Sequence, residues 1–154
     1  MTDTATLAPL TKQVHVPCDP TRAFQVFTEE LRQWWPIDTH SIGGDDVDEV
    51  VIEPRVGGRV YELLRSGECA VWGDVLIWDP PARFVMTWHP GTPAEEATEL
   101  ELRFTPTTGG TQVDLEHRGW ERRIEDGAAM RSSYDTGWDM VIERYVDAAA
   151  TMDE

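Results

Sequence analysis

Four histidines, two cysteines and a scatter of carboxylates are the side chains of this sequence that could carry bond chemistry, and their spacing limits what they can do. His15, His40, His89 and His117 are dispersed, and no His/Cys group has the short intervals of a zinc site, so neither a metal nor any other cofactor is expected. Cys18 and Cys69 lie far apart; in a reducing compartment such cysteines are small apolar side chains more often than a disulfide. The pairs Asp45-Asp46 and Glu95-Glu96 sit in loop-like sequence and read as solvated. The enzyme templates G-x-S-x-G, H-E-x-x-H, the phosphate-binding loop and the dinucleotide fingerprint are all missing. Two residues keep chemical interest. His117 shares the apolar face of an alternating segment with Val113 and Leu115, where it could bond a ligand or move a proton. The plainer reading, which we favour, is a core histidine satisfied by a carbonyl or a tyrosine hydroxyl. Asp74 qualifies as an acid or base only if it is buried beside His117.

Any such site must be positioned by the elements around it. Leu10 to Val16 alternates like a strand. Asp19 as N-cap, Pro20 at the first helical position, and Ala23, Phe24, Phe27 and Leu31 at helical spacing predict one helix over about 20–33, ended before Pro36. The Gly- and Asp-rich stretch 37–48 reads as a loop able to serve as a lid, with Trp34-Trp35 either gating a mouth beside it or closing the core. Short runs rich in Val, Ile, Leu and aromatics follow at 47–53, 59–65, 69–78, 83–89, 98–105 and 111–118, each bounded by turn residues, which predicts an antiparallel meander. Gly73 inside one of them predicts a bulge or bend. Strict alternation there puts Trp72, Asp74, Leu76 and Trp78 on one face, without saying which face is inward. Met130, Tyr134, Trp138, Val141, Ile142 and Tyr145 then recur every three or four residues over 126–149, the stripe of one long amphipathic helix. Its natural partner is the face of the sheet. The fold class is therefore α+β: a curved seven-stranded antiparallel sheet around a C-terminal helix.

With 154 residues the chain fits one domain, read as residues 10–150 behind a flexible leader at 1–9. Thirteen Lys and Arg against 29 Asp and Glu give a net charge of −16, which repels nucleic acid and anionic membrane surfaces. No stretch has the length and apolarity of a membrane span or a secretory signal, so a cytoplasmic location is expected.

An ordered set of local signals adds to this: Val56-Gly57-Gly58-Arg59, Trp72-Gly73-Asp74-Val75, the run from Trp78 through Pro80-Pro81 to Phe84, Met86-Thr87-Trp88, Gly110-Thr111, His117 and Gly137-Trp138. Over about residues 14–148 it resembles the heat-shock-protein-90 ATPase activator-like family of the START-related, polyketide-cyclase-like superfamily. The resemblance implies a helix-grip fold with a cavity between sheet and helix. Members of that superfamily bind sterols, lipids, hormones or polyketides, and some cyclise or hydrolyse them, so fold alone selects no function. The leading expectation is a binding module for a small hydrophobic or aromatic molecule, lipid or polyketide-like, held by Trp35, Tyr61, Trp88, Leu102, His117, Tyr134 and Trp138. Two rivals stand beside it: a cofactor-free cyclase or hydrolase using His117 with Tyr134 or Asp74, and a stress-response interaction module of the chaperone-activator kind. A homodimer stays open.

Overall fold

The computed structural model of the chain describes residues 8–35, 46–89, 95, 97–120 and 127–151. Most of the leader at 1–9, the 37–48 loop as far as Asp45, His40, and Glu96 of the Glu95-Glu96 pair lie outside the described residues.

Seven strands, β1 (Leu10–Val16), β2 (Val47–Ile52), β3 (Arg59–Leu64), β4 (Cys69–Asp79), β5 (Arg83–Trp88), β6 (Thr98–Thr107) and β7 (Gly110–Arg118), form one sheet in the order β1-β7-β6-β5-β4-β3-β2. Every neighbouring pair is antiparallel. This is the predicted meander, with β1 closing onto β7. Gly57, at φ 85°, makes the β2–β3 turn in a conformation that favours glycine.

The predicted 20–33 helix is two helices, α1 (Pro20–Thr28) and α2 (Leu31–Trp34). The start is as expected, with Asp19 accepting a hydrogen bond from the Arg22 N–H at 2.9 Å. The break has a local cause. In an unbroken helix the Val26 carbonyl would accept from the Glu30 N–H. Here the Glu30 N–H turns to the Gln25 carbonyl at 3.2 Å, and the Trp34 indole N–H takes the Val26 carbonyl at 2.7 Å. Trp34 thereby folds α2 back onto α1 and is itself buried.

Two bulges curl β4. Its register with β3 passes from Val60↔Gly73 to Tyr61↔Val71, and its register with β5 from Val75↔Met86 to Ile77↔Val85. Gly73 is needed at the first, because a Cβ there would stand 1.8 Å from the Thr87 carbonyl oxygen. The bulges also overturn strict alternation: Trp72 and Val75 are buried and Trp78 packs against the core, whereas Asp74 and Leu76 are exposed.

The long helix α3 (Gly127–Thr151) lies on the sheet as its stripe predicts, burying Trp138, Val141, Ile142 and Tyr145. Lys12 reaches Asp135 at 2.6 Å from β1, and the Tyr145 hydroxyl donates to the Ala23 carbonyl at 2.8 Å, so the helix is tied to the sheet and to α1. The opposite side of the sheet carries charge: Glu101 accepts from Arg83 Nε at 2.6 Å and Arg118 Nη1 at 2.7 Å. Burial pushes the Glu101 pKa up, but the two guanidiniums outweigh it and hold the carboxyl below its usual range.

Candidate functional site

Aromatic rings fill the space where α2 and the first half of α3 face the sheet. Trp35 stands with its ring centroid 4.9 Å from Trp72 on β4, 6.1 Å from Trp88 on β5 and 6.1 Å from Trp138 on α3. Trp88 is also 5.3 Å from Trp72 and 5.5 Å from Trp138. These separations and tilts are those of favourable edge and offset ring contacts. A residual cavity of about 10 Å³ remains among them, walled by Phe27, Trp35, Trp72, Phe84, Trp88 and Trp138 together with Leu, Ile, Val and Met side chains. The cavity expected from the sequence is thus present at this place but almost filled: pockets for small organic ligands run to about 300–1,000 Å³. A water molecule would find no polar partner on that lining.

Polar groups sit at the edge of this cluster and hold its walls. Trp138 Nε1 lies 3.0 Å from His117 Nδ1. An indole N–H can only donate, so Nδ1 accepts and the ring proton is on Nε2. That proton points to Thr98 Oγ1 at 2.6 Å, and the Thr98 hydroxyl in turn donates to the Trp88 carbonyl at 3.2 Å. The Trp120 indole donates to the His117 carbonyl at 2.9 Å, and the Trp88 indole to the Tyr134 hydroxyl oxygen at 2.9 Å. His117 is fully buried, and burial pushes its imidazole down to about 3, so the ring is neutral at physiological pH. With its one lone pair facing an indole N–H and its ring proton facing Thr98, His117 joins β7, β6 and α3. Its ring partners are Trp138 and Thr98, where the core reading expects a carbonyl or a tyrosine hydroxyl.

Asp74 does not join this group: it is exposed, which removes it as the acid or base beside His117. Tyr61 is likewise elsewhere. Val60 faces the cavity, so its neighbour Tyr61 takes the other face of β3, where the Arg59 guanidinium lies 6.0 Å from its ring centroid. Leu102 is buried between Phe84 and Leu115 of the flanking strands, in the solid core and not at the cavity wall. Trp35, Trp88 and Trp138 do line the cavity, and His117 and Tyr134 meet Trp88 at 5.8 and 6.2 Å.

Besides Trp72, whose face alternation leaves open, three residues of the site are not among those expected. Glu62 is fully buried on the inward face of β3, and its Oε2 accepts the Trp72 indole N–H at 2.8 Å. Thr98 carries the His117 proton contact, and Trp120 packs tilted against the His117 ring with the centroids 4.2 Å apart. Thr98 falls in phase with Leu100 and Leu102, and Glu62 in phase with Val60, so an inward-phase polar residue is the signal for both. Trp120 has none. Among the described residues no group of three or more His, Cys, Asp or Glu could hold a metal ion, and no helix is long and apolar enough to cross a membrane.

A curled seven-stranded antiparallel sheet gripping one long C-terminal helix defines the helix-grip class of polyketide-cyclase-like and START-related domains. Within it, this chain belongs to the family described as activator of Hsp90 ATPase homolog 1-like protein, whose model matches residues 17–149. An anthrahydroquino-gamma-pyrone synthase, Txn09, solved in complex with SUM, is 32% identical with a TM-score of 0.57, over 84% of this chain and 88% of the other. The self-sacrificing resistance protein CalC from Micromonospora echinospora is 25% identical with a TM-score of 0.69, over 92% and 93%. The Aha1 dimer from Colwellia psychrerythraea shares the fold at 16% identity and a TM-score of 0.68, over 94% and 98%. No functionally curated protein matches the sequence.

Proposed function

We propose that this chain binds a planar, predominantly apolar aromatic molecule of the polyketide type between α3 and the concave sheet. The observation that carries the reading is the wall itself: three indoles from three separate elements, Trp72, Trp88 and Trp138, face one small apolar cavity, and a named hydrogen bond fixes each ring. Fixed rings around apolar space suit a flat guest, because orientation is prepaid and little side-chain entropy is lost on binding. Similarity to a synthase of an anthrahydroquinone-type product supports the same ligand class. As the cavity stands a guest must move something, so binding is coupled to rearrangement. Equilibrium dialysis against anthraquinone, read by quenching of tryptophan emission and by native mass spectrometry, tests it. Saturable quenching with one molecule retained per chain is expected; no quenching up to the solubility limit, with no mass added, would end the proposal.

A second reading, catalysis on such a molecule, is favoured by the 32% identity to the synthase. The acid–base work then falls to Tyr134 or Glu62, each bonded to a wall indole, since both ring nitrogens of His117 are engaged and Asp74 is exposed. Loss of turnover in Tyr134→Phe or Glu62→Gln with probe binding unchanged would support it, and unchanged turnover in both would remove it.

A further inference from the structure

We infer that Thr98 is a positioning residue for the binding site: its hydroxyl is the middle link of a one-way hydrogen-bond chain through which the Trp138 and Trp88 walls hold their orientation together. The inference rests on the binding reading above and adds to it a residue outside the cavity lining.

The direction of each link follows from the chemistry of its donor. The Trp138 indole has a proton and no acceptor, so its bond to His117 Nδ1 at 3.0 Å runs from α3 into β7. That leaves the imidazole proton on Nε2, 2.6 Å from Thr98 Oγ1 on β6. A hydroxyl oxygen that accepts there still has its own proton to give, and the Trp88 carbonyl stands 3.2 Å away at the end of β5. The Trp88 indole donates at 2.9 Å to the hydroxyl oxygen of Tyr134, which lies one turn before Trp138 on the same face of α3. The contacts therefore close a circuit from α3 through β7, β6 and β5 back to α3, and it contains two of the three walls. Trp72 stands outside it, with its N–H on Glu62.

The surroundings keep this circuit in one arrangement. The imidazole is packed by the rings of Trp120, Tyr134 and Trp88 at 4.2, 5.1 and 5.8 Å, so a half-turn that exchanged its two nitrogens would have to displace them. Thr98, His117 and Trp138 are all buried, which leaves no bulk water to replace a lost link. Thr98 is also the link that can be cut without removing a ring. Valine has nearly its shape and neither donor nor acceptor, so Thr98→Val leaves the Nε2 proton of His117 facing a methyl group. Because bonds in a chain polarise one another, the Trp138 bond one link away weakens too.

The test uses the full chain labelled with nitrogen-15 and observed by NMR at pH 7, with the indole signals assigned from Trp138→Phe and Trp72→Phe. In wild type His117 is expected as a single tautomer with its proton on Nε2; a proton on Nδ1 reverses the chain and overturns the proposal. In Thr98→Val the Trp138 indole proton is expected to exchange with solvent at least ~10-fold faster than in wild type, with Trp72 within about twofold. Thr98→Ser, which restores the hydroxyl, should bring Trp138 back to within about twofold of wild type. Anthraquinone affinity, read by tryptophan quenching, should fall about 5–10-fold in the valine variant and recover in the serine variant. Thr98→Ala removes the same hydroxyl and serves if the valine variant does not fold. In Trp138→Phe, where the chain is already cut at its head, adding Thr98→Val should cost less than about twofold further affinity. Trp138 exchange unchanged by loss of the hydroxyl, or Trp72 accelerated equally, overturns the coupling of the walls. Faster Trp138 exchange with unchanged anthraquinone affinity overturns the positioning role while leaving the binding reading intact. Absence of anthraquinone binding to wild type overturns the binding reading and the positioning role with it, and the exchange rates then still decide the coupling.

Discussion

The two ends of the interior are equally aromatic and are built differently. Toward the second half of α3, Phe24, Phe27 and Phe104 pack with Tyr145 and Trp34 at ring separations of 5.1 to 6.4 Å. Toward its first half, Trp72, Trp88, Trp138, Tyr134 and His117 pack at similar distances, 5.1 to 6.4 Å. Separation therefore does not distinguish them. The hydrogen bonds do. At the first end Trp34 and Tyr145 bond backbone carbonyls, of Val26 and Ala23, which ties helix to helix. At the second end the indoles bond side chains, Glu62, Tyr134 and His117, and the residual cavity lies among them. The first end, apart from Phe27, whose ring also borders the cavity, is a core whose work is stability; the second is a wall whose ring orientations are held in place while space is kept beside it.

Substitutions break this comparison in a defined order. Phe24→Ala, at the core end, should lower unfolding free energy by about 3–5 kcal/mol in a urea titration, because the void left beside Trp78 and Phe104 cannot collapse. Its affinity for anthraquinone should stay within about twofold of wild type, since Phe24 is not part of the cavity wall.

His117→Ala should cost about 2–4 kcal/mol, since it leaves a void and strands the Trp138 indole N–H in the interior, while the Thr98 hydroxyl keeps the Trp88 carbonyl. Unlike Phe24→Ala it should also weaken anthraquinone binding, because it frees the Trp138 wall. Equal affinity in the two variants would erase the distinction between the ends.

Acid gives a third test. The folded pKa of His117 is about 3 against 6.5 when unfolded, so below pH 6.5 the unfolded chain takes up a proton that the folded chain refuses. The stability contributed by the neutral ring is complete above pH 6.5 and declines as pH falls, by about 2 kcal/mol between pH 6.5 and 5. Urea midpoints measured across that range should show this slope in wild type and lack it in His117→Ala. The smallest effect belongs to the outer face of the sheet. Glu101→Gln should cost about 1 kcal/mol, as Arg83 and Arg118 are partly exposed and rehydrate, and its loss should appear only above the pH at which Glu101 itself protonates. Chemical denaturation at pH 7 and at successive steps below the ordinary glutamate range should show the difference between wild type and Glu101→Gln shrinking as pH falls.

Much of this was legible in the residues. Period-two runs and turn chemistry place all seven strands to within two residues, and the stripe from Met130 to Tyr145 places α3, because burial on one face writes itself into sequence spacing. The α1–α2 break was not legible: it depends on Trp34 competing for the Val26 carbonyl, a contact between residues eight apart. Alternation failed in β4 because two bulges each add a residue. Gly73 announces the first, and nothing in the local sequence announces the one at Leu76. The same kind of error sent Tyr61 inward, since Val60 and Tyr61 are equally apolar in pattern and only the packed sheet selects between them. His117, Trp88, Tyr134 and Trp138, which lie together in the structure, stand out in the sequence because apolar-phase aromatics and a lone polar residue among them are local signals. Glu62 and Thr98 give that signal too, weakly, and become visible only through the indole and imidazole they hold.

Hydrogen exchange of the wild-type chain with and without anthraquinone probes the division of the interior most directly. Added protection is expected only in β4 around Trp72, β5 near Trp88 and the turns of α3 from Tyr134 to Trp138, with α1 and α3 beyond Tyr145 unchanged. Protection spread evenly over both ends, or found only on the outer face of the sheet, would contradict it.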